Sequence, residues 1–247
     1  MILVMLLMLV MSSACSAEGI AGEELKAYCN MAFPPPVVQP HEPTGDEYFA
    51  DAVLIGDSLM EYVEMYEELP SANYVWRIGM SPASVGRRQF RVKGTNERLT
   101  TYEQAALYHP KKVYVMLGSN GLDGFAISYV MADYEKMADD LIRYFPDAMI
   151  YVIAPPPMSQ KQMRERHAPV SRYVEFAGQL KELAERRQFY FLNLYELLVD
   201  EEGCLPRKYD AGDGFHLTKR AYSILVDLIR RNTVPYPVNE TEQKGMN

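Results

Sequence analysis

Positive charge is in short supply in this sequence. Lys and Arg number 25 against 33 Asp and Glu, a formal net charge of −8. A general nucleic-acid binder needs clustered basic residues that raise its pI, so no nucleic-acid partner is expected. Long hydrophobic runs are also missing. The longest is the opening "MILVMLLMLVM", which ends at Met11, well short of the ~20 residues that span a bilayer as a helix. Cysteine is limited to Cys15, Cys29 and Cys204, and only four histidines occur. No internal repeat and no heptad series is present. What remains is an ordinary globular composition, with 48% hydrophobic and 23% charged residues, which excludes a disordered chain and a multi-span membrane protein.

The opening apolar run is followed by small residues, so residues 1–16 read as a secretory signal. Cys15, after Ser13 and Ala14, offers lipidation as an alternative to release, and an uncut anchor ranks third. The expected location is therefore extracellular or cell-surface attached, with membrane attachment only through the signal or a lipid on Cys15. In an oxidising compartment Cys29 and Cys204 could bridge the N-terminal arm to the loop ahead of His216; two separate thiols are an equal alternative. The Pro-dense "FPPPVVQPHEPTGDEYF" forces extended backbone and makes residues 17–45 a spacer. The domain is expected over 46–235, with a polar tail over 236–247.

Within the domain, apolar β-branched runs begin at Ala52, Asn73, Lys112, Ala148 and Phe189 and read as buried strands. Amphipathic stretches separate them. The clearest is "ISYVMADYEKMADDLIRYF", with Val130, Tyr134, Met137, Leu141 and Tyr144 on one helical face. Two more helices are expected, one from about Pro169 and one through "LTKRAYSILVDLIRRN". Strands alternating with helices imply parallel pairing with right-handed crossovers and helices on both faces of the sheet. Such sheets bind ligands beyond the carboxyl ends of their strands.

Four short segments carry chemistry at those ends. Gly56-Asp57-Ser58-Leu59 closes the first strand and opens a helix, placing a hydroxyl beside free N–H groups. Taken alone, Asp57 or Ser58 would be an N-cap. In "YDAGDGFHLTKRAY", Asp213 stands three residues before His216, so one loop can present an imidazole while its own carboxylate fixes the tautomer. Asn120, in Gly118-Ser119-Asn120-Gly121, can donate to an oxyanion, although Asn-Gly is also a common turn. Gly79 follows the second strand and supplies a backbone N–H.

Together these residues resemble the GDSL or SGNH family of serine hydrolases, in a bacterial exported member. The family's four blocks lie in this chain order at comparable strand ends, and the resemblance covers roughly 51–232. It implies a three-layer α/β/α sandwich, flavodoxin-like, with a five-stranded parallel sheet of order 2-1-3-4-5. It implies Ser58 as nucleophile, His216 as base and acid, Asp213 as its orienter, and an oxyanion hole from the amides of Ser58 and Gly79 and the side chain of Asn120. No metal and no organic cofactor are implied. The third block usually reads Gly-x-Asn-Asp; here Gly121 stands in place of the final Asp, which removes a supporting carboxylate.

The leading expectation is an esterase removing short acyl groups, acetyl first, from an extracellular carbohydrate, so the partner is a small ester or acylated glycan. A lipase or lysophospholipase and an O-acyltransferase are alternatives on the same machinery, and a glycan-binding pseudoenzyme is the non-enzymatic one. Asp57 reads as a structural partner of its loop and His167 as a surface residue. The cluster Arg87, Arg88, Arg91 and Lys93 reads first as a solvated face and second as an attractor of anionic substrate. The segment after the fourth strand, "PPPMSQKQMRERHAP", reads as a mobile wall of the cleft.

Overall fold

Alternation of short apolar runs with amphipathic stretches produces the expected sandwich. The computed structural model describes residues 30, 32–92 and 94–234. In chain order the elements are a single 3-10 turn (Asp46–Phe49), β1 (Ala52–Gly56), α1 (Ser58–Met65), β2 (Asn73–Trp76), β3 (Phe90–Arg91), β4 (Arg98–Leu99), α2 (Thr101–Ala106), β5 (Lys112–Met116), α3 (Ile127–Tyr144), β6 (Met149–Ala154), α4 (Gln160–Glu165), α5 (Val170–Arg187), β7 (Tyr190–Asn193), α6 (Leu194–Leu198) and α7 (Lys219–Arg231). The main sheet is parallel with order β2-β1-β5-β6-β7. Leaving aside the small β3–β4 hairpin, this is the order 2-1-3-4-5.

Every residue of β1, β5 and β6 is buried, as a parallel sheet covered on both faces requires. The alternating side chains feed two cores. One face packs under α2, α3 and α5, with Val130, Tyr134, Met137 and Leu141 from α3 buried as their spacing demands. Tyr144, placed on the same face by periodicity, is only partly buried at its edge. The other face packs under α1 and α7. There the register Tyr114↔Tyr151↔Tyr190 aligns three tyrosines across neighbouring strands, with ring centroids 4.3 and 5.0 Å apart. Such pairs add about 0.5–1.5 kcal/mol each beyond their buried area.

The phenol ends of that ladder also anchor the flanking chain. Tyr190 Oη donates to the Phe33 carbonyl at 3.0 Å, and the Val234 N–H donates to Tyr151 Oη at 3.0 Å. The Phe191 N–H donates to the Pro36 carbonyl, and the amides of His41 and Thr44 to the carbonyls of Arg231 and Arg230. The described part of the Pro-rich stretch, 32–45, therefore lies against the domain. Its prolines do fix extended backbone, but that extended chain finds partners along the sheet edge and α7. The signal, Cys15, Cys29 and the polar tail lie outside the described residues.

Gly56 ends β1 just before α1 and is tightly enclosed. A Cβ added at Gly56 would stand 2.6 Å from the Met60 Cβ and 3.1 Å from the Met116 carbonyl oxygen. Neither neighbour is the free end of a flexible side chain. Gly56→Ala should therefore cost about 1–3 kcal/mol, the usual range for overpacking, read as a lower urea midpoint with an unchanged slope; an unaltered midpoint would contradict this packing.

Candidate active site

The strand ends fix where the chemistry-bearing residues meet. Gly56 is the register partner of both Trp76 and Met116, so the chain leaving β1, β2 and β5 emerges side by side at one rim. From β1 comes Asp57, the N-cap of α1, whose Oδ1 accepts the Leu59 N–H at 2.9 Å. Ser58 follows as the first helical residue, 8% exposed. Capping is thus performed by Asp57, which leaves the Ser58 hydroxyl free for another partner.

That partner is His216. Ser58 Oγ lies 3.1 Å from His216 Nε2, and His216 Nδ1 lies 2.6 Å from Asp213 Oδ2. With the Nδ1 proton donated to the carboxylate, Nε2 is left to accept from the serine. The loop that carries both residues is tied internally. Asp213 Oδ1 accepts the N–H groups of Phe215 and His216 at 2.9 and 2.8 Å, and Asp210 Oδ1 accepts those of Gly212 and Gly214 at 2.8 and 2.7 Å. Partial burial of Asp213 pushes its pKa up, but the imidazole and these backbone donors outweigh it and hold it at about 2. The carboxylate is therefore ionised at any pH where the imidazole needs it.

The other two strand ends bring Gly79 and Asn120. Residues Arg77 to Met80 form a turn closed by the Met80 N–H on the Arg77 carbonyl at 3.1 Å. Gly79 holds its third position with φ +72°, a conformation that a Cβ would disfavour. Among the described residues, no hydrogen bond uses the N–H of Gly79 or of Ser58. Asn120 is different: its Nδ2 donates to Asp57 Oδ2 at 2.8 Å and to the Met80 carbonyl at 3.1 Å. The amide that sequence reasoning assigned to an oxyanion is thus engaged with the nucleophile's own turn and with the turn that carries Gly79.

Several supports were not visible in the motifs. Gly121 leaves the Asn120 loop without the carboxylate usual in the third block. Here Asp123 ion-pairs with Arg166 at 2.6 Å and the Leu122 carbonyl accepts from Arg172 at 2.7 Å. The same α4 segment holds the histidine loop. The Ser159 N–H donates to the Gly214 carbonyl at 2.8 Å, and Gln162 Nε2 to the Asp213 carbonyl at 2.9 Å. The segment read as a mobile wall is thus bonded to both loops that it borders. Tyr62, one turn beyond Ser58, places its ring 5.6 Å from that of His216 and stacks on Tyr222. Its i+4 spacing from Ser58 was the one available signal. Cys204 is a free, buried thiol whose Sγ lies 3.7 Å from Met163 Sδ.

The profile of the GDSL-like lipase/acylhydrolase family matches residues 54–224, which spans β1 to α7 and every residue of the site. The chain belongs to the GDSL-like lipase/acylhydrolase family. Membership makes it an ester-hydrolysing serine hydrolase. Its fold is shared with solved structures of low sequence identity. A provisionally named platelet activating factor from Streptococcus pneumonia matches at 19% identity and a TM-score of 0.58, over 84% of this chain and 90% of that one. A GDSL-like lipase from Bacteroides thetaiotaomicron matches at 17% identity and 0.54, over 85% and 96%. A lipase/acylhydrolase from Enterococcus faecalis matches at 16% and 0.50, over 73% and 93%. No curated protein matches the sequence.

The buried Asp57 gives this GDSL member a measurable signature. Desolvation raises its carboxyl to about 6, against the pull of the Leu59 N–H, His216 and Asn120. Because the folded value lies above the unfolded one, the group favours the fold most below pH ~4. That contribution falls as pH rises to about 6, by on the order of 3 kcal/mol in all. An NMR titration should find the Asp57 carboxyl carbon with a midpoint near 6, whereas a midpoint below 4 would contradict the burial.

Proposed function

We propose that this chain removes short acyl groups, acetyl first, from a carbohydrate by way of an acyl-enzyme on Ser58. The observation that carries it is the continuous Ser58–His216–Asp213 relay. Ser58 Oγ attacks the ester carbonyl carbon as His216 Nε2 takes the hydroxyl proton, with Asp213 stabilising the charged ring through Nδ1. The same Nε2 proton then passes to the departing alcohol oxygen as the C–O bond breaks. A water, deprotonated by His216 Nε2, then attacks the acyl carbon; the bond from that carbon to Ser58 Oγ breaks, Oγ takes the proton back from Nε2, and the carboxylic acid leaves.

The developing oxyanion has two unused donors near it, the N–H groups of Ser58 and Gly79. Asn120 supplies a third when one of its amide hydrogens shifts from its resting partner to the substrate oxygen. Hydrogen bonds of this kind commonly tighten only once substrate is bound. Resting on Asp57 and Met80, the amide is held close to the attack trajectory without needing its own rotamer search.

A lid for lipid substrates would present an apolar face, and no long apolar segment follows any of the strand ends that carry the site; this supports a small acyl group. Two large apolar side chains are nevertheless exposed on the site's loops, Ile78 in the Gly79 turn and Phe125 beyond Asn120, so the chain-length series below is the deciding test.

Three experiments test the reading. Ser58→Ala should abolish hydrolysis of p-nitrophenyl acetate in a protein that remains folded, and full activity would refute the nucleophile. Asn120→Ala should lower kcat by roughly 10²–10³, about 3–4 kcal/mol, with KM little changed. In a series of p-nitrophenyl esters the rate should peak at acetate; a maximum at long chains would replace this reading with that of a lipase.

A further inference from the structure

The excursion that follows Gly79 has a charge opposite to that of the molecule. Between positions 77 and 98 the sequence has five arginines and one lysine against a single Glu97, in a chain of net charge −8. Its antiparallel β3–β4 pairing puts Arg91 directly opposite Arg98, and both are exposed, as are Arg87 and Arg88. Like charges at directly opposed positions of a hairpin destabilise it, so this pair works against the fold that displays it.

Among the described residues, nothing neutralises Arg87, Arg88, Arg91 or Arg98. Arg91 donates to the Thr95 carbonyl and the Asn96 side chain, and Arg98 to the Gln89 carbonyl, all of them uncharged acceptors. Among the described residues, no carboxylate lies within ion-pair distance of Arg87, Arg88, Arg91 or Arg98, whereas Arg143, Arg166, Arg186, Arg187, Arg230 and Arg231 each reach one. Cations without an ion pair among the described residues also occur elsewhere, at Arg164, Lys181, Arg207, Lys208, Lys219 and Arg220; what sets this excursion apart is density, five arginines and one lysine against one glutamate within 77–98.

The excursion is anchored and stands beside the site. Gln104 on α2 donates to the Phe90 and Leu99 carbonyls at 3.2 and 2.9 Å and accepts from Arg77, whose guanidinium covers the Phe90 ring. The hairpin leads into α2, where Thr101 Oγ1 lies 3.5 Å from Met80 Sδ. The Met80 carbonyl is the one that holds the Asn120 amide. Two contacts therefore connect the base of the basic hairpin with the oxyanion side of the cleft.

We propose that the 87–98 excursion is a docking surface for an anionic polysaccharide, which it holds beside Ser58 so that acyl groups on that polymer are the ones removed. The proposal rests on the acyl-serine reading of the site. A carboxylate- or sulfate-bearing glycan supplies charges in series without needing apolar contact. A lipid surface would call for apolar side chains to insert, and the described residues of 87–98 expose no large one, the exposed Ile78 standing at the base of the excursion and outside the basic hairpin. The net charge of −8 belongs to the molecule as a whole, and this excursion is a local exception to it that attracts a polyanion.

The test separates docking from chemistry. Binding of the full-length Ser58→Ala protein to polygalacturonate is followed by affinity electrophoresis, with R91E/R98E and R87Q/R88Q introduced into that background. Each pair should weaken binding about tenfold or more, and the affinity of the parent should fall steeply with salt. In the active enzyme, R91E/R98E should raise KM for acetylated polygalacturonate by a similar factor while leaving p-nitrophenyl acetate and neutral acetylated xylan unchanged, which also shows that the variant folds. Unchanged binding in both variants, equal losses on all substrates, or binding to anionic phospholipid vesicles in preference to polygalacturonate would overturn the proposal. Polymer binding in a protein that hydrolyses no ester would overturn the acyl-serine reading and leave the surface standing.

Discussion

The hydrogen bond from Asn120 to Asp57 is the contact on which the geometry of the site depends. It joins loops 63 residues apart in sequence, and it does so at a carboxylate with no exposure to solvent. Asp57 uses one oxygen to cap α1 and the other to hold Asn120, so the nucleophile's turn and the oxyanion donor share one anchor. Removing Asn120 would leave Asp57 Oδ2 buried without its partner, which costs more than a typical exposed hydrogen bond is worth. A raised carboxyl pKa is the electrostatic consequence of that placement.

Around this anchor the structure trades one support for another. The third family block usually provides a carboxylate after the Asn; here Gly121 cannot. Asp123 and the Leu122 carbonyl take up that duty through Arg166 and Arg172, and the segment carrying Arg166 also holds the Asp213 loop through Gln162. One short helix thus sets the relative position of the oxyanion side and the acid–base side of the cleft. Substrate contacts at the rim act on loops that are already coupled.

Much of this was legible in the sequence. Parallel strands buried on both faces leave continuous apolar runs, and all five were readable. The α3 face was readable because its period is helical over five turns. Ser58, His216 and Asp213 stood out because each sits at a strand end or in a short loop where its residue type has chemical use, and the structure brings them together. Other features left no local trace. The β3–β4 hairpin is too short to show alternation, and its arginines looked like an ordinary solvated face. The Arg166–Asp123 pair and the Gln162 contact join positions whose proximity depends on the assembled fold. Proline density in the arm reported backbone shape but not what residues 32–45 lie against.

Everything above turns on the acylation of Ser58 with His216 as its base. Peptide mass mapping after reaction with a fluorophosphonate reads that event out: a single adduct is expected on the peptide containing Ser58, formed rapidly in the native protein and suppressed in His216→Ala. An unlabelled folded protein, or an adduct on another residue, would contradict it.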